Sequence, residues 1–518
     1  MLKKKAVSIL GIASKLAAAR NEKIYLVGGY IRDLLLGRMT YDMDFALDGN
    51  AKKFSSELAK KIGAKFFVLD EKTQTFRITC SGRACSARWN IDISKMQGKD
   101  IIADLKRRDF SIDAMAIDLN NGHCESKPPN FTFAESRLSG RAESRLSGRA
   151  ESRLSGRAES RRSNLVVLID PFSGLKDLKK RIIRVTSPGV LNDDPLRLLR
   201  AFRLAATLGF KIESRTLKAI SVRSSLIKKV SRERIRDELF KILPVDNSYE
   251  YISQIDKSCL LERIIPQIKK MKQERGLWMH SLLTLRFLEN LLRKNRLERI
   301  WSTAIASKTK IHLRNEVSTQ NTRGTLLKFV SLFHDIGKPS TKKMLNGKMS
   351  FIGHDRVGEE ILRKISEYLR LSNKEIKVIL KIARYHMRVH YLANLSSITK
   401  RAVVRLIRDA DEETIELLLF TLADFLATPR ELKKPTLKKN QEVTKKIIRQ
   451  YFKFKESRKF VRLVTGDDLI KKFHMKEGPR IGRILEEIEL AQREGPVKTR
   501  KEALHLVSNL LNHSSFNP

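Results

Sequence analysis

The spacing of apolar and polar residues divides the chain into a beginning rich in short strands and a long helical remainder. Ile24, Leu26 and Val27 predict a short buried strand that comes after an amphipathic helix at the N-terminus. Other short apolar runs predict strands at 65–69, 75–79, 89–93 and 165–169. Beyond residue 192, apolar residues recur mainly at helical spacing. The pattern therefore predicts an α+β chain, with a small mixed sheet first and all-helical domains after it.

Residues 26–46, LVGGYIRDLLLGRMTYDMDFA, contain the first candidate chemistry. Gly28 and Gly29 lie directly after the first predicted strand, where a backbone without Cβ can turn sharply and direct N–H groups at an anion. Arg32 lies at the start of the helix predicted next. A glycine pair alone is more often an ordinary turn, so this pair gains weight only from the residues near it.

Two carboxylates come after that helix. Asp42 and Asp44 are two residues apart, a spacing that places both side chains on one face of a strand. Such a pair, completed by phosphate oxygens of a substrate, suits Mg²⁺. The plainer interpretation of this spacing is a solvated loop.

The charge of the chain points to a polyanionic partner. Its 518 residues include 104 Lys and Arg against 58 Asp and Glu, a formal net charge of +46. Nucleic acid is the simplest partner for such a chain, although a generally basic proteome would give a similar excess. Charge alone does not separate RNA from DNA or from an acidic membrane.

Cysteine usage and hydropathy indicate the compartment. The four cysteines form no CxxC pair, which favours a reducing cytoplasm. The first 20 residues resemble a signal peptide, but Lys15 interrupts the apolar run, and an amphipathic helix leading into the first strand accounts for the same residues. No uninterrupted apolar run reaches the length of a membrane span. We therefore expect a cytoplasmic protein with no membrane partner.

The ordered pattern GG-x-x-RD-x-x-LG with a later D-x-D resembles the head of the nucleotidyltransferase superfamily shared by tRNA CCA-adding enzymes and bacterial poly(A) polymerases. Residues 105–116, LKRRDFSIDAMA, are similar to a second signature of this family, RRDF-[ST]-x-N-A. The resemblance implies that Arg108 contacts the triphosphate and Asp109 a ribose hydroxyl, and that Gly28, Gly29 and Arg32 belong to the nucleotide site. Asp113 departs from the family, which usually has Asn there.

Asp92 is a further candidate carboxylate. It alternates with apolar Ile91 and Ile93 in WNIDIS. The resemblance allows it to be a third carboxylate beside Asp42 and Asp44, and the alternation equally allows the polar side of an edge strand.

A helix is predicted over Asn192–Arg203, with Pro195 in its first turn. On such a helix Asp194 and Arg197 would share a face, which permits a structural salt bridge. The segment also resembles the family's ED-x-x-R motif, which implies that Asp194 and Arg197 recognise the incoming base and that Arg200 belongs to the nucleotide site.

A different pattern begins at residue 280. His280, the His334-Asp335 pair in LFHDIGKP and Asp424, with His354 and His386 between them, resemble an HD-type metal phosphohydrolase domain. The implied metal ligands are His280, His334, Asp335 and Asp424, which suit Mn²⁺, Ni²⁺ or Mg²⁺. The resemblance leaves open whether this domain is catalytic.

Three segments lie outside these motifs. An eight-residue repeat, AESRLSGR, cannot build one apolar helix face, so a solvated hairpin loop is favoured over an RNA-binding arm. Residues 293–323 are basic and resemble no part of the family. Residues 433–462 are basic and helical, and an RNA contact and a solvated face both remain open. The segment beginning VTGDDLIKKF at residue 464 resembles the C-terminal module of CCA-adding enzymes.

These observations predict four domains: a nucleotidyltransferase head at 1–185 with the insertion at about 125–163, a helical neck at 186–274, an HD-type domain at 275–430, and an RNA-binding module at 431–518. The resemblance implies transfer of CMP and AMP from CTP and ATP to the 3′ end of tRNA, with catalytic Asp42 and Asp44 holding Mg²⁺. Poly(A) addition, CC or A addition alone, and hydrolysis of RNA ends by the HD domain are the alternatives.

Overall fold

The computed structural model describes the chain except residues 1, 72, 83–84, 121–133, 137–166, 294, 319–320, 430–436, 457–460 and 513–518. The chain forms two compact units. The first comprises Met1–Val230 with Ser258–Leu260, and the second comprises Ser231–Lys257 with Leu261–Pro518. The four-domain division stays a prediction beside this coarser one.

One mixed sheet of eight strands forms the centre of the first unit. Its strands are β1 (Lys23–Val27), β2 (Asp42–Asp48), β3 (Lys65–Asp70), β4 (Thr75–Gly82), β5 (Cys85–Lys95), β6 (Ala116–Asp118), β7 (Ala134–Ser136) and β8 (Val167–Ile169). They are ordered β3-β4-β5-β2-β1-β6-β8-β7. Strand β2 pairs antiparallel with β1 and parallel with β5, which confirms the predicted mixed sheet.

Strict alternation along β1 builds a core on each face of the sheet. Ile24 and Leu26 pack into the larger core, whereas Tyr25 and Val27 pack into the smaller one. The N-terminal helix α1 (Leu2–Ala19) buries its apolar face, including Ile9, in the larger core. It therefore packs as the amphipathic helix that the sequence predicts.

Seven further helices complete the first unit: α2 (Gly29–Leu35), α3 (Ala51–Ile62), α4 (Ile101–Lys106), α5 (Gly174–Lys180), α6 (Val190–Asp193), α7 (Arg197–Leu208) and α8 (Ser214–Val222). Two short strands, β9 (Ile182–Ile183) and β10 (Lys211–Ile212), pair in parallel. Two 3-10 turns lie at Ser111–Asp113 and Ser224–Lys229.

The single helix predicted over Asn192–Arg203 is wrong in its bounds. The short helix α6 ends at Asp193, and the long helix α7 begins only at Arg197. Asp194 lies between them in an extended conformation, with φ −136° and ψ 98°. The residue before a proline is driven away from the helical region by the proline ring, which explains the break before Pro195.

The second unit is helical in nearly all of its described residues. Its helices are α9 (Arg232–Ile242), α10 (Ser248–Lys257), α11 (Leu260–Ile264), α12 (Ile268–Gln273), α13 (Leu277–Leu292), α14 (Arg296–Ile300), α15 (Thr303–Arg314), α16 (Arg323–Phe333), α17 (Lys338–Thr341), α18 (His354–Tyr368), α19 (Asn373–Asn394), α20 (Lys400–Ala410), α21 (Thr414–Ala427), α22 (Leu437–Glu456), α23 (Gly466–Phe473), α24 (Pro479–Glu494) and α25 (Arg500–Asn512). A hairpin of β11 (Lys343–Leu345) and β12 (Lys348–Ser350) and a 3-10 turn at Asp411–Glu413 complete it.

Helix α21 lies at the centre of this helical unit. Nearly all of its residues are buried, and it packs against α13, α16 and α19. A helix that is apolar on all sides needs partners around it, so α21 fixes the positions of its neighbours. None of the described helices is long and apolar enough to cross a membrane.

The cysteines depart in part from the expectation. Cys259 is a free and exposed thiol, but Cys80 is disulfide-bonded. The reducing compartment inferred from cysteine usage therefore stays a prediction.

Candidate active site

Strand β2 presents its two carboxylates on one face, as their spacing predicts. Met43 between them is buried in the larger core, whereas Asp42 is exposed and Asp44 half-buried on the opposite side. Asp44 lies beside Val27 of β1 and Asp92 of β5. The side-chain amide of Asn90 donates a hydrogen bond to Asp42 Oδ1 at 2.8 Å.

The main chain approaches this face so closely at residue 28 that only glycine fits there. Its φ of 76° is a conformation that residues with a side chain rarely adopt. A Cβ atom placed on it would lie 3.0 Å from both Arg108 Nη1 and Asp44 Oδ2. The glycine therefore lets the backbone, a guanidinium and a carboxylate meet in one small space.

The electrostatics at Asp44 suit a cation. Burial raises the pKa of the Asp44 carboxyl to about 6, and the carboxylates of Asp92, Asp113 and Asp42 add to the rise while Arg108 opposes it. A group of acids this close together carries repulsion that a divalent cation would relieve. Two carboxylates on one strand face are a donor set that fits such a hard cation.

Asp92 lies within the sheet rather than on an edge strand, because β5 runs between β4 and β2. The edge-strand alternative is therefore wrong. Both Asp92 oxygens accept hydrogen bonds from the Arg77 guanidinium, at 2.7 and 2.6 Å. Its role as a third carboxylate of the site stays a prediction.

Arg32 makes two ion pairs. Its guanidinium binds Asp33 at 2.8 Å and Asp113 at 2.7 Å. These two carboxylates raise the pKa of Arg32 in spite of its burial. Arg32 thus braces the start of α2 against the 3-10 turn that carries Asp113, and its predicted place in the nucleotide site is untested by these contacts.

A second ion pair joins two of the residues that were predicted to bind the nucleoside, Asp109 and Arg200. Arg200 of α7 binds Asp109 Oδ2 at 3.0 Å, so the two family motifs are joined by a direct contact. Arg197 donates to the Val190 carbonyl oxygen at 2.9 Å, and Asp194 Oδ1 accepts from the Leu196 amide at 3.2 Å. The helix face that Asp194 and Arg197 were expected to share does not form, since Asp194 precedes α7.

Candidate metal ligands converge in the second unit. His280 on α13, His334 after α16 and Asp424 on α21 form a first group, in which Asp424 Oδ1 lies 2.7 Å from His280 Nε2 and 3.4 Å from His334 Nε2. Asp335, the fourth predicted ligand, places Oδ2 3.1 Å from His334 Nε2. The four predicted residues are therefore brought together by three helices and the turn after α16.

Asp335 forms a second group with two histidines that the predicted ligand set lacks. His354 and His386 join it there, with their Nε2 atoms 3.5 and 3.9 Å from Asp335 Oδ1 and 3.2 Å from each other. His390 was missed entirely, although its spacing of four from His386 on one helix was a usable signal. Its Nε2 lies 2.8 Å from Asp424 Oδ2.

Unsatisfied buried atoms test whether this cluster fits a metal. Among the described residues, His334 Nε2, His390 Nε2 and Asp424 Oδ1 are buried and make no hydrogen bond of normal geometry, although each lies 2.7 to 3.1 Å from a neighbouring ligand atom. Buried polar atoms usually have a partner, so three such atoms in one cluster match the donors of a bound cation. Imidazole nitrogens with carboxylates suit a transition metal.

The cluster also holds its histidines in different states. Burial lowers the pKa of His334, but the Asp335 and Asp424 carboxylates outweigh it and raise that pKa to about 10. Burial, with the neighbouring His334, lowers the pKa of His386 to about 3. The Asp335 carboxyl keeps a pKa well below its usual range, because His334, Lys338 and His280 outweigh its burial.

Known families match most of the chain in the order that the motifs predict. Residues 24–126 match the family described as "Poly A polymerase head domain", and residues 209–272 match "Probable RNA and SrmB- binding site of polymerase A". Residues 277–428 match "HD domain", and residues 357–507 match the tRNA nucleotidyltransferase domain 2 family. Segment by segment, the chain is therefore similar to poly(A) polymerases and tRNA nucleotidyltransferases. The HD match confirms the HD-type domain that the histidine and aspartate motifs predicted.

Relatives match along much of the chain. A CC-adding tRNA nucleotidyltransferase of Thermus thermophilus is 26% identical over 92% of this chain and 91% of its own. An A-adding tRNA nucleotidyltransferase of Deinococcus radiodurans is 25% identical, over 92% and 93% respectively. A CC-adding tRNA nucleotidyltransferase of Geobacter sulfurreducens is 32% identical, but the match spans only 44% of this chain and 42% of that protein.

Solved structures share the fold. A CCA-adding enzyme in complex with ATP superposes with a TM-score of 0.64 at 19% identity, covering 98% of this chain and 95% of its own. A Thermotoga maritima CCA-adding enzyme complexed with tRNA gives a TM-score of 0.61 at 21% identity, covering 98% and 96%. These likenesses confirm the predicted fold, a nucleotidyltransferase head with helical domains after it.

Proposed function

We propose that this chain is a template-independent RNA nucleotidyltransferase that adds CMP, AMP or both to the 3′ end of tRNA, using CTP and ATP and releasing pyrophosphate. The observation that carries the proposal is the meeting of Asp44, Gly28 and Arg108 on one face of the head sheet. Carboxylates for a cation, a close backbone and a guanidinium are the groups that phosphoryl transfer requires. Relatives along most of the chain are tRNA nucleotidyltransferases.

Each group has a distinct role in this reaction. Asp42 and Asp44 would hold divalent cations, with Mg²⁺ as the proposed ion. Bound there, the cations supply the charge that lowers the pKa of the attacking 3′-hydroxyl and offsets the charge of the leaving pyrophosphate. Arg108 binds the triphosphate through its planar donor fork. The backbone at Gly28 and Gly29 leaves room for the phosphates to approach.

We assign the nucleoside end of the site to the contact between Asp109 and Arg200. We assign the Asp109 carboxylate to the ribose hydroxyl, where an acceptor distinguishes ribose from deoxyribose. Arg197 and Asp194 lie on the segment that carries Arg200, and we assign them to the base. An acceptor and a donor there can imitate the base-pairing edge that a template would present.

The decisive experiment removes one carboxylate. Asp44→Ala should abolish incorporation of labelled CMP and AMP while leaving tRNA affinity in a gel shift nearly unchanged, because the affinity comes from Lys and Arg elsewhere. Asp48→Ala is the matched control, since Asp48 is exposed on the same strand. Incorporation that survives Asp44→Ala would contradict the catalytic assignment.

A substrate series separates CCA addition from addition of CC, A or poly(A). Labelled CTP or ATP is offered with tRNA that lacks its last one, two or three nucleotides. Addition of C to the shortest substrate and then of A identifies a CCA-adding enzyme. Growth beyond three nucleotides would instead identify poly(A) addition.

Base selection tests the second pair of residues. Arg197→Ala should raise UMP misincorporation relative to CMP and AMP, because it removes a donor to the base edge. Arg203→Ala is the control on the same helix. An equal loss with all nucleotides and unchanged selectivity would make Arg197 a structural residue tied to Val190.

A second candidate function is hydrolysis of a phosphoester in the helical unit. Two adjacent groups of candidate metal ligands favour it, and two of their buried atoms, His334 Nε2 and Asp424 Oδ1, lack a hydrogen bond of normal geometry. A 2′,3′-cyclic phosphate at an RNA end is the proposed substrate, since attack of water on phosphorus with cleavage of the P–O3′ bond leaves a 2′-phosphate and frees the 3′-hydroxyl that the head extends. Mn²⁺, Ni²⁺ and Mg²⁺ all suit this donor set.

The purified protein is incubated with 2′,3′-cyclic AMP across a panel of these metals, and product is measured by chromatography. Hydrolysis should require added metal and disappear in Asp335→Asn. An absence of hydrolysis with every metal, in protein that transfers CMP and AMP, would leave this cluster without a catalytic role.

A further inference from the structure

A charged cavity of about 760 Å³ lies in the second unit, apart from the metal-ligand cluster. It is bounded by residues 244–247, the C-terminal end of α13, and helices α14, α15 and α16. Neither proposed activity uses it. Among the described residues, seven charged side chains line the cavity: Asp246, Glu289, Arg293, Arg296, Lys310, Arg314 and Lys328. Cations outnumber carboxylates by three, so the cavity is suited to an anion.

A buried ammonium forms part of its wall. Lys328 is only 7% exposed, and it donates to Glu289 Oε1 at 3.0 Å and to the Val245 carbonyl oxygen at 2.7 Å. An ammonium has three N–H donors, and these are its two acceptors in the described chain. A buried donor without an acceptor is costly. A ligand oxygen in the cavity would supply the third acceptor.

Guanidinium groups without a carboxylate partner surround the opening. Arg296 and Arg314 are exposed and form no ion pair with any described residue, and Arg293 donates only to the neutral Asn247 amide oxygen. Lys310 differs, since Glu298 neutralises it at 2.7 Å. Three planar donor forks around one cavity match the geometry of phosphate oxygens.

The lining also favours a backbone phosphate over a free nucleotide. No Phe, Tyr or Trp is among the described residues that line the cavity. Sites that hold a base commonly stack it on an aromatic ring, whereas sites that track a nucleic-acid backbone rely on cations. The basic stretch 293–323 supplies four of the cavity's cations.

We propose that this cavity binds a backbone phosphate of the RNA substrate, in a site that shares no residue with either candidate catalytic centre. The proposal rests on the proposed function only in naming that RNA as tRNA. Arg296 and Arg314 hold the phosphate from the rim, and Lys328 completes its contacts from the buried wall. The basic stretch thereby gains an RNA-binding role.

The test compares two double variants of the full chain. Arg296→Gln with Arg314→Gln removes two rim cations that form no ion pair with the described residues, so folding is unaffected by lost ion pairs. Arg263→Gln with Arg299→Gln removes the same charge from exposed arginines in the same unit that do not line the cavity. Affinity for tRNA lacking CCA is measured without nucleotide across a range of salt concentrations.

The rim variant should bind about tenfold to a hundredfold more weakly than the control. The slope of log affinity against log salt concentration should become shallower by about one unit for each lost phosphate contact. At saturating tRNA its transfer rate should equal that of the control, because the head is untouched. Equal affinities and slopes for the two variants would overturn the proposal.

Two other results separate this inference from neighbouring ones. If the rim variant loses binding of ATP, measured by calorimetry in an Asp44→Ala background, while tRNA affinity is unchanged, the RNA assignment is overturned in favour of a free nucleotide. If weaker tRNA binding is found in a protein that transfers no nucleotide, the cavity assignment stands and the proposed function fails.

Discussion

At the scale of single residues, Asp113 shows how burial and charge compete. It stands where the family usually has Asn, and its carboxylate binds Arg32 at 2.7 Å. Burial raises the pKa of Asp113, the nearby Asp109 and Asp33 add to the rise, and Arg32 opposes it. The ionised carboxylate is therefore costly in the fold although it has an ion-pair partner.

Asp113→Asn should consequently preserve or increase stability at neutral pH. The pKa of Asp113 is higher in the folded state than its ordinary value of 3.8. The wild type therefore loses stability as the pH rises from 3.8 through the folded pKa, whereas the variant, whose amide side chain at this position carries no charge, does not. The advantage of the variant should grow over that interval and then level off above the folded pKa. Denaturant unfolding between pH 4 and pH 8 measures it.

Asp33→Asn is the matched control, since Asp33 binds the same guanidinium through both oxygens. It should lower the free energy of unfolding by about 1 kcal/mol, the usual worth of such a hydrogen bond. A loss of several kcal/mol in Asp113→Asn would show that the pair with Arg32 outweighs the burial of Asp113.

At the scale of elements, the start of α19 is fixed by one buried carboxylate. Glu375 forms a capping box with Ser372 and also accepts from Ser318 at 2.8 Å and from Asn321. Burial alone would raise the pKa of Glu375, but these hydrogen bonds outweigh it and lower that pKa. Helix α19 carries His386 and His390, so this cap also supports the metal-ligand cluster.

Glu375→Gln should lower the free energy of unfolding at pH 7 by about 2 kcal/mol, because hydrogen bonds to a charged acceptor are the stronger kind. A lowered folded pKa gives stability that is present above pH 4.5 and is lost as the pH falls through the folded pKa. The difference between variant and wild type should therefore shrink in acid, as measured by thermal unfolding.

The capping box of Thr465 and Asp468 at α23 provides the control, since it has the same capping bonds in an exposed setting, with one ion pair to Arg500 in place of the bonds from Ser318 and Asn321. Asp468→Asn should have a smaller effect than Glu375→Gln. Equal effects would mean that the bonds from Ser318 and Asn321 add nothing to the cap.

The repeat belongs to the same scale. Most of it lies outside the described residues, but Ala134–Ser136 of its first unit forms β7 at the end of the sheet. Deletion of 142–157, two whole units, spares β7 and should leave melting temperature and transfer rate almost unchanged, because surface loops of different length differ little in closure entropy. A large loss of tRNA affinity would instead identify an RNA-binding arm.

At the scale of the whole molecule, the two candidate centres belong to separate compact units. Asp42 and Asp44 lie in the first unit, and the cluster around Asp335 lies in the second. A mutation that disturbs one unit can therefore abolish one activity and preserve the other, whereas a mutation in a shared centre would abolish both.

The two activities should therefore be separable by mutation. Asp335→Asn should remove hydrolysis of 2′,3′-cyclic AMP and preserve CMP and AMP addition, and Asp44→Ala should do the reverse. Both are measured on one preparation of each variant, with unfolding curves as the control for folding. Loss of both activities in a folded Asp335→Asn protein would contradict independence.

The sequence by itself determined the features that depend on local spacing. A period of two placed Asp42 and Asp44 on one face of a strand, and the order of motifs gave the head and the helical domains. The single helix over Asn192–Arg203 failed at Pro195, where backbone sterics overrode helical periodicity.

Only the tertiary structure decided which distant residues meet. Asp335, after α16, meets His354 of α18 and His386 of α19 because α16 and α18 both pack against α19. The pairing of Arg77 with Asp92 depends on strand register, and the contacts of Lys328 with Glu289 and the Val245 carbonyl depend on how α16 packs. Spacing fixes which face a side chain occupies, but packing over long sequence separations fixes what that face contacts.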